Sequence, residues 1–524
     1  MRYFISIFLL VILLSIAVLL SCTAHDSGYP DNVISVLEKT GDNRPDLEKT
    51  LTYFADKGDT LMYQAACFLI GNMEGHKYVI FKFCDTSGEE VEINALAYPN
   101  YDSLLADVYR IEDVRGEINY EKDVLINDMD TISADYLIEN IELAFEVWRS
   151  KPWARGLSFE TFCEGVLPYR GSSEPLESWR REFMKKYENL AGKMADSTDP
   201  VEAACLINDD IKTWFGFDRR FYFHPTDQGL REMLANGLGR CEDMTNLAIY
   251  AMRANGLAVT SDYTPHWANA SGNHAWNAIT TPEGEVIPFM GAEANPRKYN
   301  LWRKLAKVYR KAFGQQADNL VFIKDSAQKV PRWLGGKSYK DVTSAYVTVS
   351  DVTMRFAEPV PDSIPFAYLS VFNSGKWRAI HWGKIVDNAA LFSDMGTGVA
   401  YLPMFYLNEE LTPAGSPFIL EDDGSIRELT AFPEKETTLK LISETNPTIE
   451  GSATNIEKSA LKPGKEYELF YWNEDCWQSV GKTVAGEEPM EITAPSGALY
   501  RLIVSGSRDD ERIFTWDDGQ QIWW

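Results

Sequence analysis

The period of the hydrophobic pattern changes once along this chain, and that change decides its fold class. In the first part apolar residues recur at helical spacing. Residues 135–148 place Leu137, Ile138, Ile141, Leu143, Ala144, Val147 and Trp148 along one broad stripe. Residues 175–191 (PLESWRREFMKKYENLA) set Leu176, Trp179, Phe183 and Tyr187 between charges, which predicts a second core-facing helix. A strand pair at 76–85 (HKYVIFKFCD) and 89–96 interrupts this region. From about residue 340 the residues alternate instead, as in Ala345-Tyr346-Val347-Thr348-Val349 and Ala367-Tyr368-Leu369-Ser370-Val371. Turn signals at Asn373-Ser374-Gly375 and Asp422-Asp423-Gly424 separate those runs, which predicts β-sandwich modules. One period cannot serve the other element, so the chain reads as a multidomain α+β protein. The predicted division is a targeting segment at 1–21, a tether at 22–40, a helix-rich region at 41–195, a mixed α+β domain at 196–335, a β-sandwich module at 336–435 and a second β-rich module at 436–524.

Charge and motifs remove several function classes. A formal net charge of −26 over 524 residues excludes a nucleic-acid binder, which needs a basic face for phosphates. No His-x-x-x-His or Cys-x-x-Cys spacing occurs, so no metal site is expected. No glycine-rich phosphate loop occurs either, and no cofactor is implied.

The N-terminus specifies a compartment. Arg2 precedes an apolar run from Phe4 to Leu20, which ends in Leu19-Leu20-Ser21-Cys22 and turns polar at once. This resembles the signal peptide and lipobox of a bacterial lipoprotein, with Cys22 as the acylated first residue of the mature protein. Several acyl chains together anchor firmly where one is marginal, and an acidic body repels anionic headgroups. The membrane partner is therefore met through lipid on Cys22. Thr23 does not resemble an inner-membrane retention signal, so the expected site is the cell envelope at the outer membrane.

The chemistry concentrates between residues 236 and 293. In Asn236-Gly237-Leu238-Gly239-Arg240-Cys241-Glu242-Asp243 the glycines allow a tight turn. Met244, Leu247, Ala248, Ala251 and Met252 then follow helical spacing up to a Gly256 cap. Cys241 thus falls at a helix start, where free backbone N–H groups favour a thiolate. Glu242 and Asp243 oppose that, so a basic partner is needed. His274 opens the strand-like run His274-Ala275-Trp276-Asn277-Ala278-Ile279, 33 residues after Cys241. These residues, Gly239-x-Cys241-x-Asp243 and His274-Ala275-Trp276, with Gly284–Phe289 as a following strand, resemble the transglutaminase-like superfamily of cysteine enzymes. The flanking regions resemble large lipoproteins of Bacteroidetes-type bacteria that contain this domain. The resemblance implies a papain-like α+β core, Cys241 as nucleophile, and His274 as general base and then acid. It also implies an acidic residue orienting the histidine, and Met290 stands at that position. Glu293, or Asn277 acting as the asparagine of papain-like peptidases does, is the replacement. His266, Trp267 and Trp276 are expected to wall the substrate cleft.

Of the seven cysteines, Cys67, Cys84, Cys163, Cys205 and Cys476 read as unpaired packing residues. The aromatic-dense C-terminus (466–472, then Cys476-Trp477, then Gln521-Ile522-Trp523-Trp524) is similar to galactose-binding-like sandwiches. It reads first as a packed β core, with a glycan-stacking face as the other possibility. The sequence therefore predicts an envelope-anchored cysteine enzyme acting on amide bonds of a peptide or protein, by hydrolysis or acyl transfer. The alternative is a catalytically decayed surface lipoprotein that binds peptide or glycan.

Overall fold

A computed structural model describes residues 28–446, 460–507 and 511–524. The segment at 1–21 expected to be a targeting signal, and Cys22, lie outside the described residues. Helix α1 (Asp31–Lys39) starts at Pro30, whose carbonyl accepts the Val33 and Ile34 N–H groups, and buries Val33, Val36 and Leu37. The stretch expected as tether through residue 40 is therefore helix from Asp31 to Lys39. Gly28 and Pro30 punctuate a helix start there, and apolar spacing of three and four seats the helix in the core. Helix α2 (Arg44–Lys57) carries Pro45 in its first turn and ends at Gly58, which takes a positive φ of 71°. Helix α3 (Thr60–Gly71) is capped by Asp59, whose carboxylate accepts the Met62 N–H at 3.2 Å.

Strand β1 (Lys77–Cys84) follows, but its partner is β2 (Asn119–Asn127), paired antiparallel from Lys77 opposite Asn127 to Cys84 opposite Asn119. The segment at 89–96 forms a single bridge between Cys84 and Glu90 after a turn held by the Asp85 carboxylate. Nearness in sequence suggested the wrong partner. Helix α4 (Ala134–Ser150) matches the predicted stripe and buries Leu137, Ile141, Leu143, Ala144 and Val147. The helix predicted over 175–191 shortens to Arg180–Lys186. The preceding residues are held by tertiary bonds instead: Tyr136 donates to the Glu177 carbonyl, and the Glu177 carboxylate accepts the Arg231 N–H.

Helices α5 (Pro200–Ile211) and α6 (Cys241–Arg253) cover an antiparallel sheet. Its strands are β3 (Ala258–Thr264), β4 (His274–Thr280), β5 (Val286–Phe289), β6 (Tyr309–Lys311) and β7 (Tyr339–Asp341), in the order β5-β4-β3-β6-β7. One apolar cluster runs from Val33 on α1 through Leu247 on α6 to Phe313. The N-terminal helices and this α+β unit thus share a core, and the predicted divisions at 195 and 335 coincide with no core boundary. Strand β7 lies beyond the second of them.

Beyond β7 the described residues form strands after one 3-10 turn at Thr343–Ala345, so the alternating run at 345–349 becomes strand only at Val349. An eight-stranded antiparallel sheet is built from residues 349–428, and a five-stranded one from residues 466–523. Strand Phe366–Asn373 is buried at every position. Ala367, Leu369 and Val371 fill the sheet's own core, while Phe366 and Tyr368 pack against Tyr309 of β6. The C-terminal aromatics serve as core: Tyr467, Trp472 and Phe514 are buried. Trp524 packs back, its indole donating to the Thr515 hydroxyl at 2.9 Å and its carbonyl accepting from Arg512. Among the described residues no helix is long and apolar enough to cross a membrane.

Candidate active site

The turn before α6 explains the spacing of the cysteine motif. A Cβ on Gly239 would lie 2.6 Å from the Asp243 side chain and 2.9 Å from the Phe215 ring, so the backbone passes where only glycine fits. Asp243 then closes the helix start. Its carboxylate accepts the Arg240 N–H at 2.9 Å, the Gln228 N–H at 2.8 Å and the Gln228 side-chain amide at 3.0 Å. Burial holds the Asp243 carboxyl up at about 6, with the Arg240 guanidinium opposing and Asp227 adding to the shift. Cys241 is the first residue of the helix, beside N–H groups that have no intrahelical partner.

Cys241 is buried, and its thiol donates to Glu242 Oε2 at 2.9 Å. Burial raises the thiol pKa well above the ordinary value, the Glu242 charge and hydrogen bond add to this, and the Ala275 N–H and Arg240 oppose it. The resting group is therefore a thiol. The Ala275 contact also brings strand β4 against the sulfur. His274 opens β4, where burial pushes its ring down to about 4; Glu242 opposes the shift and Arg303 adds to it. Trp267 stacks on the imidazole at 5.6 Å between centroids, and Tyr299 Oη lies 2.8 Å from its Nε2.

Cys241, Met244, His274, Met290, Glu293 and Tyr299 line one cleft of about 440 Å³. Phe217 and Trp302, 46% and 54% exposed, are large apolar side chains of its lining. Trp302, Arg303 and Lys298 come from one loop, and Arg303 lies over both Trp302 and Trp267. The cleft therefore joins a thiol, an imidazole and a phenol within an aromatic and partly basic lining.

The other expected site residues divide. Trp267 lines the cleft, whereas Trp276 is buried away from it, its indole donating to the Tyr346 hydroxyl. His266 lies outside the lining, near Arg378, and burial lowers its pKa to about 4. Asn277 is fully buried and does not orient His274. Three positions along a strand reverse the side chain's direction, and its amide instead joins the Thr245 carbonyl of α6 to the Gly291 N–H. Glu293 is exposed in the cleft lining, and its charge raises the Tyr299 pKa after the larger effect of burial. Met290 occupies the cleft where a carboxylate was sought. Tyr299 and Phe217 escaped sequence reasoning because both sit outside periodic segments. The aromatic and basic run Lys298-Tyr299-Asn300-Leu301-Trp302-Arg303 was the available signal.

Among the described residues no cluster of three His, Cys, Asp or Glu has the arrangement to hold a metal ion. Cys67, Cys84, Cys163, Cys205, Cys241 and Cys476 are all unpaired, with Cys476 exposed.

The model of the transglutaminase-like superfamily core matches residues 188–289, which span α5, the cysteine turn, α6 and strands β3 to β5. Among solved structures the chain is similar to a transglutaminase of red sea bream, at 9% identity and a TM-score of 0.21, over 86% of this chain and 78% of that one. No curated protein matches the sequence. The chain thus contains a transglutaminase-like domain within a mixed α+β, multidomain architecture whose C-terminal part is built of antiparallel sheets.

Proposed function

We propose that the protein is a cysteine-dependent enzyme acting on amide bonds of a peptide or protein substrate through an acyl-enzyme on Cys241. The observation that carries this reading is the meeting of Cys241, at a helix start, and His274, at a strand start, in one cleft of the matched domain. The thiol proton passes to His274 as Sγ bonds to the substrate carbonyl carbon. Backbone N–H groups of the first turn of α6 are the available donors for the resulting oxyanion. His274 then returns the proton to the amide nitrogen as the C–N bond breaks, leaving a thioester. Water resolves it in a peptidase or amidase, and an amine resolves it in a transferase. Hydrolysis is the favoured outcome.

The reading extends to the compartment: Cys22 carries the lipid that holds the domain at the envelope. The mass of the mature N-terminus tests that part, since an unmodified Cys22 removes the anchor.

Iodoacetamide labelling tests the chemistry, with exposed Cys476 as the internal reference. His274→Ala is expected to slow Cys241 alkylation at least tenfold and leave Cys476 unchanged, a loss below the usual worth of a positioned general base. Equal Cys241 rates in both proteins contradict the pair.

A further inference from the structure

We infer that Tyr299 orients His274, standing in for the carboxylate that Met290 replaces. This rests on the Cys241–His274 reading above and adds a positioning residue to it. A thiol proton moves only to a ring nitrogen with a free lone pair. Tyr299 Oη lies 2.8 Å from Nε2, which leaves Nδ1 as the nitrogen open to the thiol. The phenol has two possible roles there. It accepts from Nε2–H, or it donates to Nε2. Only the first leaves Nδ1 unprotonated and able to act as a base.

The first arrangement is the one that a general base at Nδ1 requires. Burial, and after it the charges of Glu293 and Cys241, strengthen the hold of Tyr299 on its proton, so the phenol stays neutral beside Nε2. The ring plane is also set by neighbours: Trp267 stacks at 5.6 Å and Trp276 lies tilted at 5.8 Å, so the hydroxyl decides the tautomer rather than the ring's tilt. The loop that bears Tyr299 is itself fixed. Lys298 N–H donates to the Asn295 carbonyl, and the Asn295 side chain accepts from Asn208 and Lys212, each at 3.0 Å. Asn208 also donates to the Met290 carbonyl, so one buried asparagine holds both the residue that departs from the family pattern and the loop that compensates for it.

In the reaction the Nε2–H···Oη bond persists, and Tyr299 neither gains nor loses a proton. The thiol proton goes to Nδ1 while S–C forms, and from Nδ1 to the leaving nitrogen while C–N breaks. A neutral phenol thus fixes the tautomer without supplying the negative charge that a carboxylate would bring to the imidazolium.

The test uses the full chain with ¹⁵N-labelled histidine, read by NMR, and acetylation of Cys241 by p-nitrophenyl acetate. Wild type is expected to show His274 as the Nε2–H tautomer. Tyr299→Phe should mix the tautomers and slow Cys241 acetylation about tenfold, the scale of one lost hydrogen bond, with an unchanged thermal midpoint. Met290→Asp in the Tyr299→Phe background should restore the rate. If that double variant does not fold, the wild-type tautomer still decides. An Nδ1–H tautomer in wild type, or Tyr299→Phe acetylating at the wild-type rate while His274→Ala is slow, overturns the role of Tyr299 alone. His274→Ala acetylating at the wild-type rate overturns the Cys241–His274 reading itself.

Discussion

The two ends of helix α6 face opposite conditions. At the C-terminal end donors meet carbonyls. Arg253 donates to the Val259, Arg170 and Pro168 carbonyls at 2.9, 2.8 and 3.2 Å, and Asn255 donates to those of Ala251 and Phe183. Gly256 then turns the chain with a φ of 79° where a Cβ would meet Ala154 and the Val147 backbone at 3.2 Å. At the N-terminal end the thiol faces a carboxylate, burial holds His274 down at about 4, and the buried Arg240 Nε has no hydrogen-bond partner. Asn255 Oδ1 lacks a partner at the first end, yet the charged conflicts gather at the second, as expected where charge moves in the proposed reaction. Substitutions at the first end should therefore cost stability, and substitutions at the second should change reactivity.

The sharpest break of that contrast is Arg253→Met, which takes a donor from the Val259, Arg170 and Pro168 carbonyls and leaves Pro168 the longer bond from Arg180 at 3.4 Å. It is expected to lower unfolding stability by about 3 kcal/mol or more in chemical denaturation. Asp243 comes next because it caps the reactive end yet is buried. Its carboxyl sits at about 6 in the folded protein against 3.8 ordinarily, so folding favours the protonated form. The native state keeps that advantage below about pH 4 and loses it as the pH rises through 6, a change of about 3 kcal/mol. Stability curves of Asp243→Asn and wild type should diverge by that amount across this window; parallel curves would show that Asp243 titrates normally. Glu242→Gln removes a charge beside the sulfur and lowers the thiol's hold on its proton. Alkylation of Cys241 near neutral pH should rise on the order of tenfold, with stability within about 0.5 kcal/mol of wild type. Cys476→Ser, at an exposed position on a different sheet, should change neither stability nor Cys241 alkylation beyond error.

What the sequence made legible follows the same contrast. The α6 stripe and Gly256, the α4 stripe and the alternation at 367–371 are local periodic signals, and each corresponds to an element in the fold. Cys241 and His274 were readable because their elements begin at them. Tyr299 was not, since nothing in a loop's sequence states that it folds back onto a histidine 25 residues earlier. The β1 partner and the shortened helix at 180–186 were missed for a related reason. Long-range pairing and the bonds of Glu177 outweigh local pattern. The core shared by α1 and α6 was equally hidden, because an apolar face does not name what covers it.

The most direct test of the central claim is to incubate the protein with p-nitrophenyl acetate and locate the acetyl group by mass spectrometry after digestion. An acyl group on Cys241 that forms in wild type, turns over with time and is lost in His274→Ala is the predicted result. Acetylation confined to the exposed Cys476, or equal at Cys241 with and without His274, contradicts it.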